Sequence, residues 1–319
     1  MEHSLLQPPV MKIRSLLLIL LLSVFLGCTV EPNNQRTVTA PSPSPTSTPA
    51  IATATPEPSP EMLPGPNAIP TDTRIVVNIP AYRMDLFKDG SLLKTYKVGI
   101  GYPEFPLPQG MRTADTVIFN PTWTVPDESW AAEMKNVSVG ETVEAGSKNN
   151  PLGWIKIPIG LPSLIHGGKA PAKIGKFASH GCVGLTNPQI KDFAMRLAEA
   201  SGTDIPVAQA DEYLQQRTKT REVKLKETIP VELRYETIVV EDGKLHVYKD
   251  VYQQKTNTEE NLRSVLTAHG LSLEDLSVDQ RTQVLNALKS VTKKNEAIVV
   301  LPTSAQKGYP AAVSLDSGR

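Results

Sequence analysis

Short runs in which apolar and polar residues alternate dominate the chain between residues 74 and 166. This period of two is typical of strands with one buried face. It predicts strands at residues 74–79, 82–87, 92–98, 116–119, 154–157 and 163–166. Asp89-Gly90 between the second and third runs is a strong signal for a tight hairpin turn. Short strands at this spacing predict a mainly β fold, either a sandwich or a small barrel.

One helix is predicted to pack against these strands, over residues 188–200. Its apolar side chains fall on one face: Ile190, Phe193, Ala194, Leu197 and Ala198. Thr186 or Asn187 can cap its first turn, and Gly202 ends it.

The chain after residue 209 predicts a smaller α/β segment, residues 210–319, whose role the sequence does not define. A second hairpin is expected, with arms at residues 230–240 and 244–248 around Asp242-Gly243. Helices at residues 259–268 and 278–291 and a strand at 297–301 are predicted to follow. We therefore expect one domain at residues 72–209 and an accessory segment after it.

The N-terminal residues predict export from the cytoplasm. Lys12 and Arg14 precede an apolar run at residues 16–27, which is too short to span a bilayer and is typical of a signal peptide. Cys28 follows this run in a context that resembles a bacterial lipobox, which implies lipidation at Cys28 and a signal peptide over residues 1–28. The alternative is an ordinary signal peptide with an incidental cysteine. Thr29 slightly favours the outer membrane over the inner one.

Residues 29–71 predict a disordered linker, because proline, serine and threonine dominate and large apolar residues are almost absent. Such a linker would tether a folded domain at a distance from the membrane. We expect the protein in the cell envelope, held to a membrane through the lipid anchor.

The overall charge excludes one class of partner. The 319 residues include 33 basic and 33 acidic side chains, so the formal net charge is +0. Nucleic-acid binders carry a basic footprint that this balance lacks, so no nucleic-acid partner is expected.

The residues best suited to chemistry lie between positions 165 and 187, in IHGGKAPAKIGKFASHGCVGLTN. A thiol nucleophile needs a base within hydrogen-bond reach, and glycines allow sharp turns that present amides to a developing oxyanion. Cys182 follows His180 and Gly181, and His166 can act as the base if the two strands that flank this segment pair. The carbonyl of Gly167 can then hold the imidazole in one tautomer.

Two other interpretations of these residues stay open at this point. His166, His180 and Cys182 could bind zinc, although a fourth ligand and the usual spacing are missing. Alternatively, Cys182 is an inert buried cysteine among core histidines.

The motif resembles that of the L,D-transpeptidases with a YkuD-type catalytic domain, in which a histidine precedes Ser-His-Gly-Cys by some fifteen residues. Here these residues are His166 and Ser179-His180-Gly181-Cys182. Other elements of the family are similar in order and spacing across residues 74–208: Gly99-Ile100-Gly101, Asn120-Pro121-Thr122-Trp123 and Asn150-Pro151-Leu152-Gly153. One position departs from the family pattern, because Gly184 stands where the family usually has arginine.

The resemblance implies a YkuD-like β-sandwich or barrel and a role for each matching residue. Cys182 is implied as the nucleophile and His166 as the general base, with Gly167 as the orienting carbonyl. Ser179 and His180 are implied as supporting residues, and the amides around Gly181 and Cys182 as oxyanion donors. No metal and no cofactor is implied.

The implied reaction is acyl transfer on peptidoglycan stem peptides through a cysteine thioester, with release of the terminal D-alanine. An L,D-carboxypeptidase, in which water takes the acyl group, and a non-catalytic wall-binding lipoprotein are the alternatives.

Trp123, Lys169 and Lys173 are expected to bind substrate, with a solvated lysine loop as the alternative for the two lysines. Residues 127–149 are expected to form either a lid anchored by Trp130 or a plain surface insertion.

Overall fold

The computed structural model describes residues 65–291, 294–302, 308 and 310. The predicted signal peptide at residues 1–28, its lipidation site Cys28 and the predicted linker as far as residue 64 lie outside the described residues. No helix in the described ranges has both the length and the apolar character needed to cross a membrane.

Strands make up most of the regular structure in these ranges, which confirms the mainly β fold class. In chain order they are β1 (Arg74–Asn78), β2 (Arg83–Lys88), β3 (Ser91–Lys97), β4 (Ile100–Gly101), β5 (Gly110–Phe119), β6 (Trp123–Thr124), β7 (Thr142–Val143), β8 (Ile155–Pro158), β9 (Leu164–His166), β10 (Phe177–Ser179), β11 (Val183–Gly184), β12 (Arg221–Arg234), β13 (Ile238–Glu241), β14 (Lys244–Tyr248) and β15 (Glu296–Val300).

Helices are fewer and lie mainly toward the C-terminus. They are α1 (Ser129–Ala132), α2 (Asn187–Ala200), α3 (Val207–Gln215), α4 (Glu259–Ala268) and α5 (Val278–Ser290). Helix α2 confirms the predicted helix at 188–200, and Thr186 caps it in a reciprocal capping box with Gln189. Helix α3, which lies mostly beyond residue 209, was not predicted. Only Ala210 of α3 is fully buried, which leaves little apolar periodicity in its sequence.

Eight strands form the main sheet, in the order β11-β9-β8-β5-β12-β1-β2-β3. Two neighbouring pairs are parallel, β11 with β9 and β12 with β1, and the others are antiparallel. The buried face of α2 contributes Ile190, Phe193 and Leu197 to the same hydrophobic core as the sheet. Burial of these side chains fixes the helix beside the strands that carry residues 165–187.

Strand β12 is part of the main sheet although it lies beyond the predicted boundary at residue 209. It lies inside the main sheet, where Val231 pairs with Ile75 of β1 on one side and Arg112 of β5 on the other. Most of its first half is exposed and charged, so the sequence lacks a clear strand pattern there. Pro230, expected to begin a hairpin arm, lies within β12 opposite Thr113, and the arm itself is the shorter β13.

The two outer strands of the main sheet meet at a pair of glycines. The amide of Gly99, just after β3, donates to the carbonyl of Gly184 in β11 at 2.8 Å, and Gly184 donates back to Gly99 at 2.8 Å. The sheet is therefore curled until its edges join at one end, as the small-barrel expectation requires.

The C-terminal residues form a second layer with its own apolar core. Strands β13, β14 and β15 make an antiparallel sheet, and buried residues of α4 and α5 pack against it. An ion pair between Arg83 of β2 and Glu241 of β13, with 2.9 Å between nitrogen and oxygen, joins this layer to the main sheet. The predicted hairpin, helices and closing strand of this region are confirmed with small shifts in their ends.

Asn67 corrects the end of the predicted linker. Its side chain is buried, donates to the carbonyl of Ile238 at 3.0 Å and accepts from the amide of Val240 at 2.8 Å. Because these bonds extend the edge of β13, residue 67 belongs to the folded part although it lies within the segment 29–71.

Candidate active site

His166 ends β9, and Cys182 immediately precedes the adjacent parallel strand β11, at one end of the main sheet. Ile165 and Val183 are register partners and fully buried in the core. Side chains alternate between the faces of a strand, so His166 and Cys182 both project from the opposite face. Both side chains line a single cleft of about 780 Å³.

The imidazole of His166 is held by its own turn. The ring is 3 % exposed, and Nδ1 lies 2.8 Å from the carbonyl oxygen of Gly167. A carbonyl can only accept, so this bond places the proton of the neutral ring on Nδ1 and leaves Nε2 free to take a proton.

Close backbone packing fixes the turn that follows His166. A Cβ on Gly167 would come within 2.7 Å of the Asn187 side-chain oxygen, and one on Gly153 would come within 2.2 Å of the Gly168 amide. The same oxygen of Asn187 accepts from the amides of Trp154 and Gly168, at 3.1 and 2.9 Å. Asn187 was expected only as a helix cap, and no signal in the sequence pointed to this role.

Ser179 closes the turn that presents Cys182. Its hydroxyl donates to the carbonyl of Cys182 at 2.5 Å, and the amide of Cys182 donates to the same hydroxyl at 3.2 Å. Gly181 has a positive φ of 83°, and its carbonyl accepts from the buried hydroxyl of Ser163 at 2.8 Å. The Cys182 amide, one of the two expected oxyanion donors, therefore already has an acceptor.

Burial determines the protonation states of His166 and Cys182 in the free site. It lowers the pKa of His166 to about 3, and the positive charge of Lys169 acts in the same direction. Burial also raises the pKa of the Cys182 thiol, against a backbone hydrogen bond to Leu164 and the charge of Lys169. The free site therefore holds a neutral thiol and a neutral imidazole near neutral pH, and proton transfer has to accompany attack.

Aromatic rings form one wall of the cleft around His180. The indole of Trp130 is stacked on the His180 ring, and the rings of Phe105 and Tyr102 lie 5.0 and 5.2 Å from it. Trp123 is stacked against Trp130 at 6.3 Å and also lines the cleft. Tyr102 and Phe105 were not predicted, since they lie in a proline-rich turn with no periodicity. Trp130 contacts the motif directly.

The lysines near the site separate into two kinds. Lys169 is half-buried and lines the cleft, whereas Lys173 is exposed at the end of a 3-10 turn and does not line it. Lys156, which the sequence did not single out, lies directly opposite His166 in the register of β8 and β9. Its ammonium donates to the carbonyl of Thr122 at 3.1 Å.

A residue from the C-terminal segment braces the aromatic wall. The hydroxyl of Tyr252 donates to the carbonyl of Gly101 at 3.0 Å and accepts from the amide of Leu107 at 3.1 Å. These two contacts bracket the turn that carries Tyr102 and Phe105. Residues beyond 209 therefore take part in shaping the cleft.

Metal coordination was one alternative for the motif. Among the described residues, no group of three or more histidine, cysteine, aspartate or glutamate side chains is arranged to hold a metal ion. His166, His180 and Cys182 accordingly do not form a zinc site in this fold.

Comparison with known proteins identifies the class of this domain. Residues 72–208 match the family model YkuD, described as the L,D-transpeptidase catalytic domain. The match to this L,D-transpeptidase catalytic domain model confirms, for residues 72–208, the resemblance predicted from the motif.

Two curated relatives and one solved structure are similar to parts of this chain. The chain is 32 % identical over 120 residues to the probable L,D-transpeptidase ErfK/SrfK of Escherichia coli (strain K12), covering 37 % of this chain and 38 % of that protein. It is 28 % identical over 132 residues to the putative L,D-transpeptidase YqjB of Bacillus subtilis (strain 168), covering 40 % and 66 %. The catalytic domain of the E. faecium L,D-transpeptidase aligns with a TM-score of 0.33 and 18 % identity, over 52 % of this chain and 100 % of that one. The matches thus span 38 % and 66 % of the two curated relatives.

Proposed function

We propose that this protein is a peptidoglycan L,D-transpeptidase that forms cross-links through a thioester on Cys182. The observation that supports this most is the projection of Cys182 and His166 from one sheet face into one cleft, with Nδ1 of His166 held by Gly167. A thiol and a base with a free Nε2 are the two groups that nucleophilic acyl transfer requires.

The first half of the reaction forms the thioester. His166 takes the thiol proton as the sulfur of Cys182 attacks the carbonyl of the third stem residue. The tetrahedral intermediate collapses with cleavage of the C–N bond, and His166 returns the proton to the amine of the departing D-alanine. The amide of Gly181 is the donor we assign to the oxyanion, since the Cys182 amide is bonded to Ser179.

The second half transfers the acyl group. The amine of an acceptor stem peptide attacks the thioester, loses a proton to His166 and forms the new peptide bond. The C–S bond breaks, and the sulfur regains a proton from His166. No nucleotide is consumed, because the energy of the D-alanine peptide bond is kept in the thioester.

Mass spectrometry of products tests this function. Disaccharide-tetrapeptide is incubated with the wild type and with Cys182→Ala, and monomers, dimers and free D-alanine are counted. The proposal expects D-alanine release together with dimers in the wild type and neither in the variant. Release without dimers would indicate an L,D-carboxypeptidase, and no change with either protein would indicate a non-catalytic wall-binding protein.

We also propose that residues 1–28 export the protein and that a lipid on Cys28 holds it to a membrane of the cell envelope, with residues between the anchor and the domain as a tether. The short apolar run that ends at Cys28 supports this. Fractionation of cells that express the wild type or Cys28→Ala tests it. We expect the wild type with membranes and the variant released, and equal partition of the two would contradict the anchor.

A further inference from the structure

The side chain of Lys169 occupies the space above Gly184. A Cβ placed on Gly184 would lie 2.7 Å from Cγ of Lys169, 3.3 Å from Cδ and 2.8 Å from Cε. The backbone position of Lys169 is fixed as well, because its amide donates to the carbonyl of Leu185 at 3.0 Å. The absence of a side chain at position 184 is therefore what allows the lysine to lie across the strand.

This arrangement brings the lysine next to the base. Gly184 is the register partner of His166, so a side chain that crosses Gly184 lies on the strand next to that of His166, and the charge of Lys169 acts on the imidazole. Lys169 lines the same cleft as His166 and Cys182. A positive charge thus lies next to the group that protonates the departing amine in the proposed reaction.

No ion-pair partner for the Lys169 ammonium exists within the part of the chain that the structure describes. Cys182 and His166 are neutral at neutral pH, burial lowers the pKa of His180, and the ammonium of Lys156 is bonded to Thr122. The nearby Lys173 is a like charge, and Glu104 and Glu128 are exposed at the rim. Burial lowers the pKa of Lys169, and binding of an anion from outside stabilises a half-buried ammonium that has no counter-charge.

We propose that Lys169 binds the terminal carboxylate of the donor peptide, so that the enzyme selects peptides with a free acid one residue beyond the scissile carbonyl. This rests on the proposed function, in which His166 returns a proton to the amine of that last residue. The carboxylate is attached to the same α-carbon as this amine, so a cation beside His166 is within its reach. Because Gly184 has no side chain, it leaves the space that the Lys169 side chain occupies.

The test compares the free acid of the disaccharide-tetrapeptide with its C-terminal carboxamide as donors. The ratio of kcat/KM for the acid to kcat/KM for the amide measures recognition of the carboxylate. We expect the wild type to prefer the acid by about ten- to a hundred-fold, as a charge-assisted hydrogen bond supplies. In Lys169→Met the ratio should fall close to one, mainly through KM for the acid. An unchanged ratio overturns the proposal, even if both rates fall.

Matched variants distinguish the effect of the Lys169 charge from the effect of the space at Gly184. Lys176→Met removes an exposed lysine of the same loop and should leave the ratio unchanged. Gly184→Ala should lower the ratio, because its Cβ displaces the Lys169 stem, yet it should add nothing in a Lys169→Ala background. Full additivity of these two substitutions would contradict the assigned role of Gly184.

A further measurement distinguishes a failure of the proposed transpeptidase function from a failure of carboxylate recognition by Lys169. If the wild type turns over neither donor, calorimetry with Cys182→Ala measures binding of the acid and the amide directly. Tighter binding of the acid that disappears in Cys182→Ala/Lys169→Met still supports carboxylate recognition. Equal binding of both donors overturns it.

Discussion

The indole of Trp130 lies parallel to the imidazole of His180, with the ring centroids 4.0 Å apart and the planes inclined by 4°. This contact joins the segment 127–149 to the Ser-His-Gly-Cys motif. His180 is thereby covered on one face, and burial is the largest cause of the lowered pKa of its imidazole.

Replacement of Trp130 should therefore change the titration of His180. In Trp130→Ala we expect the pKa of His180 to rise toward its ordinary value, because water regains access to the charged form. Titration of the histidine ring protons by NMR measures this, and Trp130→Phe should give a smaller rise. A pKa that stays constant or falls in Trp130→Ala would contradict the account.

Loss of the Tyr252 hydroxyl should affect the cleft, although Tyr252 lies outside residues 72–208, which match the family model. Tyr252→Phe keeps the ring stacked on Phe177 but leaves the carbonyl of Gly101 and the buried amide of Leu107 without their partner. We expect a loss of about 1–3 kcal/mol in the free energy of unfolding and slower thioester formation. Urea denaturation and single-turnover kinetics measure the two effects. Tyr213→Phe, whose hydroxyl bond to Gln209 is exposed, should change neither.

Ser179→Ala should disturb the turn that presents Cys182. The substitution removes two hydrogen bonds to the backbone of Cys182, so we expect a loss of about 1–3 kcal/mol in unfolding free energy and slower alkylation of the thiol. Ser201→Ala is the matched control, since this buried serine donates to the carbonyl of Ala198 at the end of α2. It should lose stability without a change in alkylation. Equal rates of thiol alkylation in Ser179→Ala and the wild type would contradict the role of Ser179 in presenting Cys182.

The buried neutral imidazole of His166 predicts how stability depends on pH. Its pKa is about 3 when folded, against an ordinary value of about 6.5, so the unfolded chain binds its proton more readily. The stability that this group contributes is complete above pH 6.5 and is lost as the pH falls toward 3. We expect the free energy of unfolding to fall less between pH 7 and pH 4 in His166→Gln than in the wild type. Urea titrations at several pH values check this, and parallel curves would rule it out.

Local patterns in the sequence predicted most of the elements around the site. The hairpin at Asp89-Gly90, the helix after Thr186 and the strand that ends at His166 each have a strong local signal, either a turn dipeptide, a cap or a period. The motif also allowed His166 to act on Cys182 if the strands that flank the segment pair, and β9 and β11 do pair.

Long-range contacts account for what the sequence did not predict. Strand β12 is defined by its neighbours β1 and β5, which lie more than 100 residues away in the chain, and its charged first half hides the strand period. Tyr252 reaches Gly101 across 151 residues, and the fit of Lys169 over Gly184 depends on the pairing of two strands. No local propensity encodes such contacts.

Trapping of the acyl-enzyme tests the central claim most directly. The protein is mixed with disaccharide-tetrapeptide, quenched in acid within milliseconds to seconds, and analysed by intact and peptide mass spectrometry. We predict an adduct equal to the donor without its terminal D-alanine, located on the peptide that contains Cys182, weak in His166→Gln and absent in Cys182→Ala. Release of D-alanine by Cys182→Ala at the wild-type rate, with no adduct on the wild-type thiol, would contradict the thioester mechanism.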